Sequence, residues 1–416
     1  MRVINFKLIK IRKLEVPFVV WMVIGSTFIA NVIEFPILGR NISGWAWVVP
    51  LMVSIFIIIR KPSRITFPVL VWIPWMFIVV YYFVDSGFSY PQRNMMLLSS
   101  IMVGMAVSAG RTTESQLKGF LVLIKLFAYL VLLTIVIRTG LLFTGILPIA
   151  TGFASQSMTA ALLCCIFAVG YSMNIEKSLF QWIIGAAIPF IALTRTAIVA
   201  AGLTIPLTFA SLKIRKRLIF LIIIAVLGVT LFSTERVQRK MFYSGAGTLR
   251  DVRLSNPDFF TTGRTRLWYL MVEEIKAKPW FGHGANAQEE FIFGYLGFYG
   301  QPHNDWIRLL FDYGYLGTFI FALCIVLQSL HALRRAKMTT GGTRILFYAG
   351  ASSFLPFILF MFTDNIILYV SFFGNLQFAI LGLAYASLNT SMRDAAWYQY
   401  QAYLSSLSKI NDSSKT

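Results

Sequence analysis

Four side chains in this sequence have types suited to group-transfer chemistry. They are Arg195 in IALTRTAIVA, Arg264 and Arg266 in TTGRTRLWYL, and His303 at the head of HNDWIRLLFDYGYLG. Arginine carries a permanent charge on a fork of donors that matches phosphate oxygens. Neutral imidazole can accept one proton and give up another near pH 7. Together they have the chemistry to bind a polyanion, most simply a phosphate or diphosphate, beside a base. Each also has a plainer role to set against this one. Arg195 can snorkel as an anchor, Arg264 and Arg266 can be surface charges, and a lone histidine can simply be polar. Asn304 follows the histidine directly. Arg308 and Asp312 lie four apart on one helix face and read as an intramembrane ion pair. Asp364 and Asn365 are expected to face the same cavity. His283, in FGHGAN, rivals His303 but has no spanning helix to position it. No carboxylates gather as a magnesium site would need, so neither a metal nor a cofactor is expected. There is no Walker loop, Rossmann glycine set or HExxH. Cys164, Cys165 and Cys324 lie in apolar runs and lack metal-site spacing.

The elements that must position these residues are apolar. Of the 416 residues, 57% are hydrophobic and 13% charged, against roughly 25% charged in soluble domains. Continuous apolar runs exclude an alternating membrane barrel and imply an all-α, polytopic membrane protein. About twelve spans follow from the ~20-residue rule. They lie near Val16–Val32, Ser43–Ile59, Ile65–Phe83, Met95–Ala109, Leu117–Ile137, Ser157–Met173, Leu179–Leu193, Ala197–Leu212, Leu218–Phe232, Trp306–Leu330, Ile345–Phe362 and Ile366–Leu388. The pairs within 180–212 and 345–388 divide only at short polar tips. The implied organisation is an N-terminal membrane region over 1–233 and an outer loop over 234–304. A C-terminal membrane region over 305–390 and a tail over 391–416 follow. The basic start leads into a span without an A-x-A-like site, so no cleaved signal peptide is expected.

The formal charge of +20 is explained by orientation rather than nucleic acid. With a cytoplasmic N-terminus, one set of loops collects Arg2, Lys7, Arg12, Arg60, Arg64, Arg111, Lys177, Arg215, Arg217, Arg334, Arg335 and their neighbours. The short loops opposite hold Arg40, Arg93, Arg138 and Arg195. This is the positive-inside pattern, and it places both termini in the cytoplasm and the four candidate residues outside.

One connection is long. Thr234 to Asn304 spans about seventy residues without an apolar run, a length usual for functional or disordered segments. Arg264, Leu267, Trp268, Met271 and Ile275 recur at helical spacing, which predicts an amphipathic helix over Arg264–Ala277 at the membrane surface. Thr262 or Gly263 would cap it, and Pro279 would end it. Trp268, Trp280 and the FIFGYLGFYG run suit the membrane interface.

These motifs resemble the O-antigen ligase/polymerase family. The resemblance rests on Gly263-Arg264, Trp268, Pro279, Gly282, Gly284, His303-Asn304, Gly314 and Gly317, with LTRTAIVAA as a smaller arginine motif in which Thr194 stands where serine is common. It covers about 195–317, and the hydropathy of the whole chain agrees. The resemblance implies a GT-C-type glycosyltransferase of the bacterial inner membrane, working on the periplasmic face. Its donor would be an undecaprenyl-diphosphate-linked oligosaccharide. Its acceptor would be another lipid-linked repeat unit in a polymerase of O-antigen or exopolysaccharide, or lipid A–core in a ligase. Membrane lipid, a flippase and a chain-length regulator would be further partners. Position by position, Arg195 and Arg264 would bind the diphosphate with Arg266 as a third candidate. His303 would activate the acceptor hydroxyl or support the diphosphate. The transfer would invert the anomeric carbon without a metal. The pattern leans to polymerase, with ligase the alternative. A transporter or flippase is the rival of another class, and it would call for midplane ionisable residues, broken helices and internal repeats.

Overall fold

A computed structural model describes residues 16–32, 36–37, 40–88, 90–143, 154–253, 256, 258–259, 264–298 and 300–413. The expected cap at Thr262 or Gly263 and the basic N-terminal residues lie outside these. The described chain is helical, apart from a two-residue strand pair, Pro36–Ile37 with Arg40–Asn41. The first half comprises α1 (Phe18–Val32), α2 (Val48–Arg60), α3 (Val69–Asp85), α4 (Pro91–Ser108), α5 (Glu114–Phe143), α6 (Ala154–Ser172), α7 (Ser178–Ile191) and α8 (Arg195–Leu203). Then come α9 (Ile214–Phe232), α10 (Glu235–Met241), α11 (Arg264–Ile275), α12 (Ala287–Leu296), α13 (Asp305–Lys337), α14 (Gly341–Ser352), α15 (Phe354–Met361) and α16 (Gly374–Ser413).

Four stretches are long and apolar enough to cross a membrane: Glu114–Gly140, Ala154–Ser172, Asp305–Lys337 and Gly341–Met361. Shorter apolar helices, α1, α2, α3 and α7, accompany them. Helix α6 lies at the centre, buried on nearly every side. The main core gathers aromatic rings of α3, α13 and α16. Trp75 packs against Phe321 at 4.8 Å and Trp72 against Phe378 at 5.3 Å between ring centroids. A polar chain threads the same helices. Trp72 Nε1 donates to Gln328 Oε1 (3.0 Å), Gln328 Nε2 donates to the Tyr385 hydroxyl (3.1 Å), and His331 Nδ1 lies 2.6 Å from that hydroxyl. Buried polar groups need such partners, and here the partners also set the helix register.

The structure departs from the sequence expectations where backbone leaves the helix. The segment expected over Ala197–Leu212 is helical only to Leu203, because Pro206 cannot donate a helical N–H and clashes one turn back. The freed carbonyls are met by Arg217. Its guanidinium donates to the Pro206 and Thr208 oxygens (2.8 Å each), Ala210 (3.1 Å) and Leu212 (3.3 Å). The segment expected over Ile345–Phe362 breaks at Ser353 into α14 and α15. The last expected span begins at Gly374 rather than Ile366, and its helix continues through the tail to Ser413.

The amphipathic helix forms as α11 and ends at Ile275, two residues before the expected end. Its apolar face is not laid on a membrane. Leu267, Met271 and Ile275 pack with Ile292 of α12 and Phe311 of α13 into a small separate core. Burying each such side chain contributes about 1.5–3 kcal/mol, so protein contact satisfies the face that the periodicity revealed.

The link between α11 and α12 docks on an interruption of α13. At Gly314 (φ 65°, ψ −168°) the helix opens. The chain from Pro279 to Gly284 then pairs with it backbone to backbone. His283 N donates to the Phe311 oxygen (2.9 Å) and Gly284 N to that of Asp312 (3.0 Å). In return Tyr315 N donates to the Pro279 oxygen (2.7 Å) and Leu316 N to that of Trp280 (3.1 Å). A Cβ on Gly314 would fall 2.4 Å from the Trp280 carbonyl, and one on Gly282 would fall 2.6 Å from Asp312 backbone atoms. Gly314→Ala should therefore destabilise the protein by about 2–5 kcal/mol, combining backbone strain with overlap. Gly297 (φ 76°) has open space where its Cβ would lie, so Gly297→Ala should cost only about 1 kcal/mol. Thermal unfolding in detergent, with limited proteolysis of 279–298, would separate the two. Equal effects would discount the close contact.

Candidate active site

Three helix beginnings carry the candidate and supporting residues. Arg195 is the first residue of α8, Arg264 the first of α11 and Asp305 the first of α13. A helix N-terminus offers unsatisfied N–H groups and about half a positive charge. At α8, Leu193 adopts a left-handed backbone (φ 49°), turning the chain after α7 so that Thr194 precedes the new helix. Ser157 Oγ of α6 donates to Thr194 Oγ1 at 3.2 Å and holds this tip. At α11, Arg264 Nη1 donates to the Thr363 carbonyl at 2.9 Å. One turn further, Trp268 Nε1 donates to the Pro302 carbonyl at 2.6 Å. Trp268 therefore serves the approach to His303 rather than a membrane surface alone.

Arg195 and Arg264 lie within each other's field. Burial first, and the Arg264 charge second, press the Arg195 guanidinium below its ordinary pKa. Arg195 remains cationic, since arginine does not titrate near neutrality. Two cations held together in a partly dry setting create a place where an anion is favourable. Arg266 points elsewhere. It is exposed, and its guanidinium lies 5.9 Å from the centre of the Tyr295 ring of α12.

His303 has a left-handed backbone (φ 50°), which histidine tolerates better than most residues. Its Nδ1 lies 3.2 Å from Asp364 Oδ1 and 3.3 Å from Asn365 Nδ2. One ring nitrogen cannot donate to the first and accept from the second at once. An ionised carboxylate favours the N–H on Nδ1, so Asp364 is the hydrogen-bond partner and Asn365 a close neighbour. The lone pair is then on Nε2, and the imidazole side chain is about one-third exposed (35%). Asn304 caps α13, accepting from Ile307 N through Oδ1 at 3.1 Å.

Asp305, which sequence reasoning passed over, secures the facing wall. It is fully buried, and its Oδ2 accepts from Ile367 N at 2.9 Å. Residues 363–373 are not helical. Two further backbone groups of the segment are met by Asp364 Oδ1, which accepts from Asn365 N (2.9 Å), and by Thr159 Oγ1, which donates to the Phe372 oxygen (2.6 Å). The signal for Asp305 was its place in the first turn after a cap, where carboxylates are favoured.

Arg308 and Asp312 are both buried, 3.6 Å apart. Arg308 Nη2 also donates to Asn286 Oδ1 (2.9 Å), and Asp312 Oδ1 accepts from Gln288 N (3.0 Å), so the pair braces α12 against α13. His283 is occupied with packing. Its ring stacks on Phe311 (centroids 4.6 Å), and its Nε2 lies 3.2 Å from the Glu274 carbonyl. Among the described residues no three His, Cys, Asp or Glu side chains converge as a metal site would require.

Membrane-length apolar helices carrying a polar site at their ends define a membrane protein of the helical class. Residues 179–322 match the family model described as O-antigen ligase, which supports the resemblance to the O-antigen ligase/polymerase family. The family points to a glycosyl-transfer enzyme, with lipid-linked glycan and lipid A–core as its substrates in general. The match includes Arg195, Arg264 and His303 and stops before Asp364. No curated protein matches the chain.

The buried Asp305–Ile367 contact predicts a stability effect. Asp305→Ala would strand a buried N–H and should cost about 1–3 kcal/mol. Asp305→Asn keeps an acceptor and should retain most of that stability. Thermal unfolding of both variants would check it, and an undisturbed Asp305→Ala would show that the wall holds without this bond.

Proposed function

We propose that this protein is a membrane glycosyltransferase. It would pass a glycan from an undecaprenyl-diphosphate carrier to an acceptor hydroxyl on the periplasmic face. The observation that carries the proposal is the joining of one imidazole–carboxylate pair to Arg264 through the single short segment Thr363–Asp364, with Arg195 within the field of the Arg264 charge. Arg264 reaches the Thr363 carbonyl, His303 reaches the Asp364 carboxylate, and Arg195 lies in the field of Arg264.

In this scheme the acceptor hydroxyl gives its proton to His303 Nε2 as its oxygen attacks the anomeric carbon. The bond from that carbon to the diphosphate oxygen breaks, and undecaprenyl diphosphate leaves with the electron pair. Asp364 holds the tautomer and stabilises the imidazolium that forms. Arg195 and Arg264, with the N-terminal amides of α8 and α11, stabilise the charge growing on the diphosphate. A single displacement inverts the anomeric configuration. Holding two lipid-tethered substrates in one orientation supplies much of the remaining acceleration. The mechanism calls for no metal. Arg266, over Tyr295, is the weakest of the three arginine candidates. Arg308 and Asp312 act through the brace to α12, and Asn304 through its cap.

Polymerisation of lipid-linked repeat units is the preferred reaction, on the order and spacing of the arginine, tryptophan and HNDW motifs. Transfer to lipid A–core is the alternative. Purified protein given a lipid-linked repeat unit should elongate it, whereas a ligase would act only when lipid A–core is added. His303→Ala should lower kcat by about 10²–10⁴-fold. Arg264→Ala should lower it by about 10²–10³-fold, as when one donor to a developing oxyanion is removed. Full activity in both variants would refute the site, and movement of glycan without a new glycosidic bond would refute the enzyme.

A further inference from the structure

Beside the arginine–histidine cluster lies a cavity of about 190 Å³, far more than the ~10–15 Å³ that one water requires. Trp47, Arg93, Gln301, Asn365, Tyr369 and Ser371 contribute to its lining. We propose that this cavity is a carbohydrate subsite that seats one sugar ring of the glycan next to His303. The proposal rests on the glycosyl-transfer function above and adds the place where the sugar is recognised.

Three observations select a sugar over other occupants. First, polar atoms in the lining lack partners. Asn365 Oδ1, Ser371 Oγ and Gln301 Oε1 are buried without a hydrogen bond, and Asn365 and Ser371 are only 2% and 3% exposed. An alkyl chain would leave them unsatisfied, which is costly for buried polar atoms. Sugar hydroxyls both donate and accept, and suit a hydroxyl and two amide oxygens together. Second, the cavity is not an anion site. Its arginine, Arg93, is already paired with Glu289 at 2.9 Å, and Gln301 Nε2 donates to the same carboxylate at 2.6 Å. In that respect it differs from Arg195 and Arg264. Third, the cavity adjoins the proposed base. Asn365, part of its wall, places Nδ2 3.3 Å from His303 Nδ1. Tyr369, another wall residue, lies in the combined field of Asp364, Arg93 and Arg264. The buried indole of Trp47 and the Tyr369 ring add the apolar surface that the C–H face of a pyranose needs.

Lipid-free saccharides test the subsite apart from catalysis. Two probes distinguish the source of the sugar: the saccharide released from the lipid-linked repeat unit, and the core oligosaccharide released from lipid A–core. Binding to the full-length protein in nanodiscs is followed by saturation-transfer NMR. The wild type should bind at least one probe. Ser371→Met, which fills the cavity, should weaken that binding more than tenfold. Ser371→Ala, which removes one hydroxyl without adding bulk, should weaken it about twofold to tenfold and decides the matter if the larger residue prevents folding. No binding by the wild type, or binding unchanged in both Ser371 variants, would overturn the subsite. If saccharide binding depends on Ser371 and yet no lipid-linked glycan is transferred, the subsite stands and the glycosyl-transfer function falls.

Discussion

The contact of Gly282 with Gly314 governs how the loop region meets the membrane helices. It is an approach of main chain to main chain, closer than any side chain allows. Four backbone hydrogen bonds across it use the groups that the opening of α13 sets free. Because polar backbone away from water must be paired, opening the helix and docking the loop are one event. The rest of the loop then has a defined place. Arg308 and Asp312, just before the break, tie to Asn286 and Gln288 at the start of α12. The α11 face closes over Phe311. Tyr82 of α3 adds an outer tie, donating to the Phe281 carbonyl at 2.5 Å.

The site itself sits where a second stretch of backbone leaves the helix, at 363–373. A main-chain segment of this kind within apolar helices is stable only if its groups find partners. Those partners come from four directions: Asp305 on α13, Arg264 on α11, Thr159 on α6 and the segment's own Asp364. Below it, Asn375 Oδ1 accepts from Ser99 Oγ (3.1 Å) and Ser100 Oγ (3.2 Å) of α4. The residues that satisfy this backbone are thus among those that gather the candidate chemistry. Recruiting Arg264 to a carbonyl at Thr363 also aims α11's N-terminus at His303's neighbour.

Much of this was readable in the residues before the helices were placed. Apolar runs located most helices, and the 3.6-residue spacing of Leu267, Met271 and Ile275 located α11. Glycine, histidine and arginine motifs marked a stretch, about 195–317, that falls within the family match at 179–322. What could not be read was which partner each face would meet. Periodicity says that a face is apolar, and α11 shows that protein and lipid are equally good answers to it. Helix breaks at Pro206 and before Gly374 were hidden inside hydrophobic runs, because hydropathy averages over a window and is blind to hydrogen bonds. Asp305 was missed for a related reason. Its importance lies in an N–H at Ile367, sixty-two positions away, which no local pattern records. Arg93 was counted as a loop cation, although its carboxylate partner is Glu289 in the long loop.

The arginines of this region sort by what neutralises them. Arg308 faces Asp312, Arg93 faces Glu289, and Arg217 spends its guanidinium on four carbonyls. Each has an evident structural task. Arg195 and Arg264 are arranged otherwise: both stand at helix N-termini, the charge of Arg264 acts on Arg195, and among the described residues no ion pair joins either to a carboxylate. Clustered like charge is costly in a partly buried setting unless an anion arrives to offset it. Asp364 follows the Thr363 carbonyl that Arg264 reaches, and it is engaged with His303 at 3.2 Å. The carboxylate that could have quenched the cations is therefore committed to orienting the imidazole. That division leaves the positive field for a ligand, as the proposed departure of a diphosphate requires.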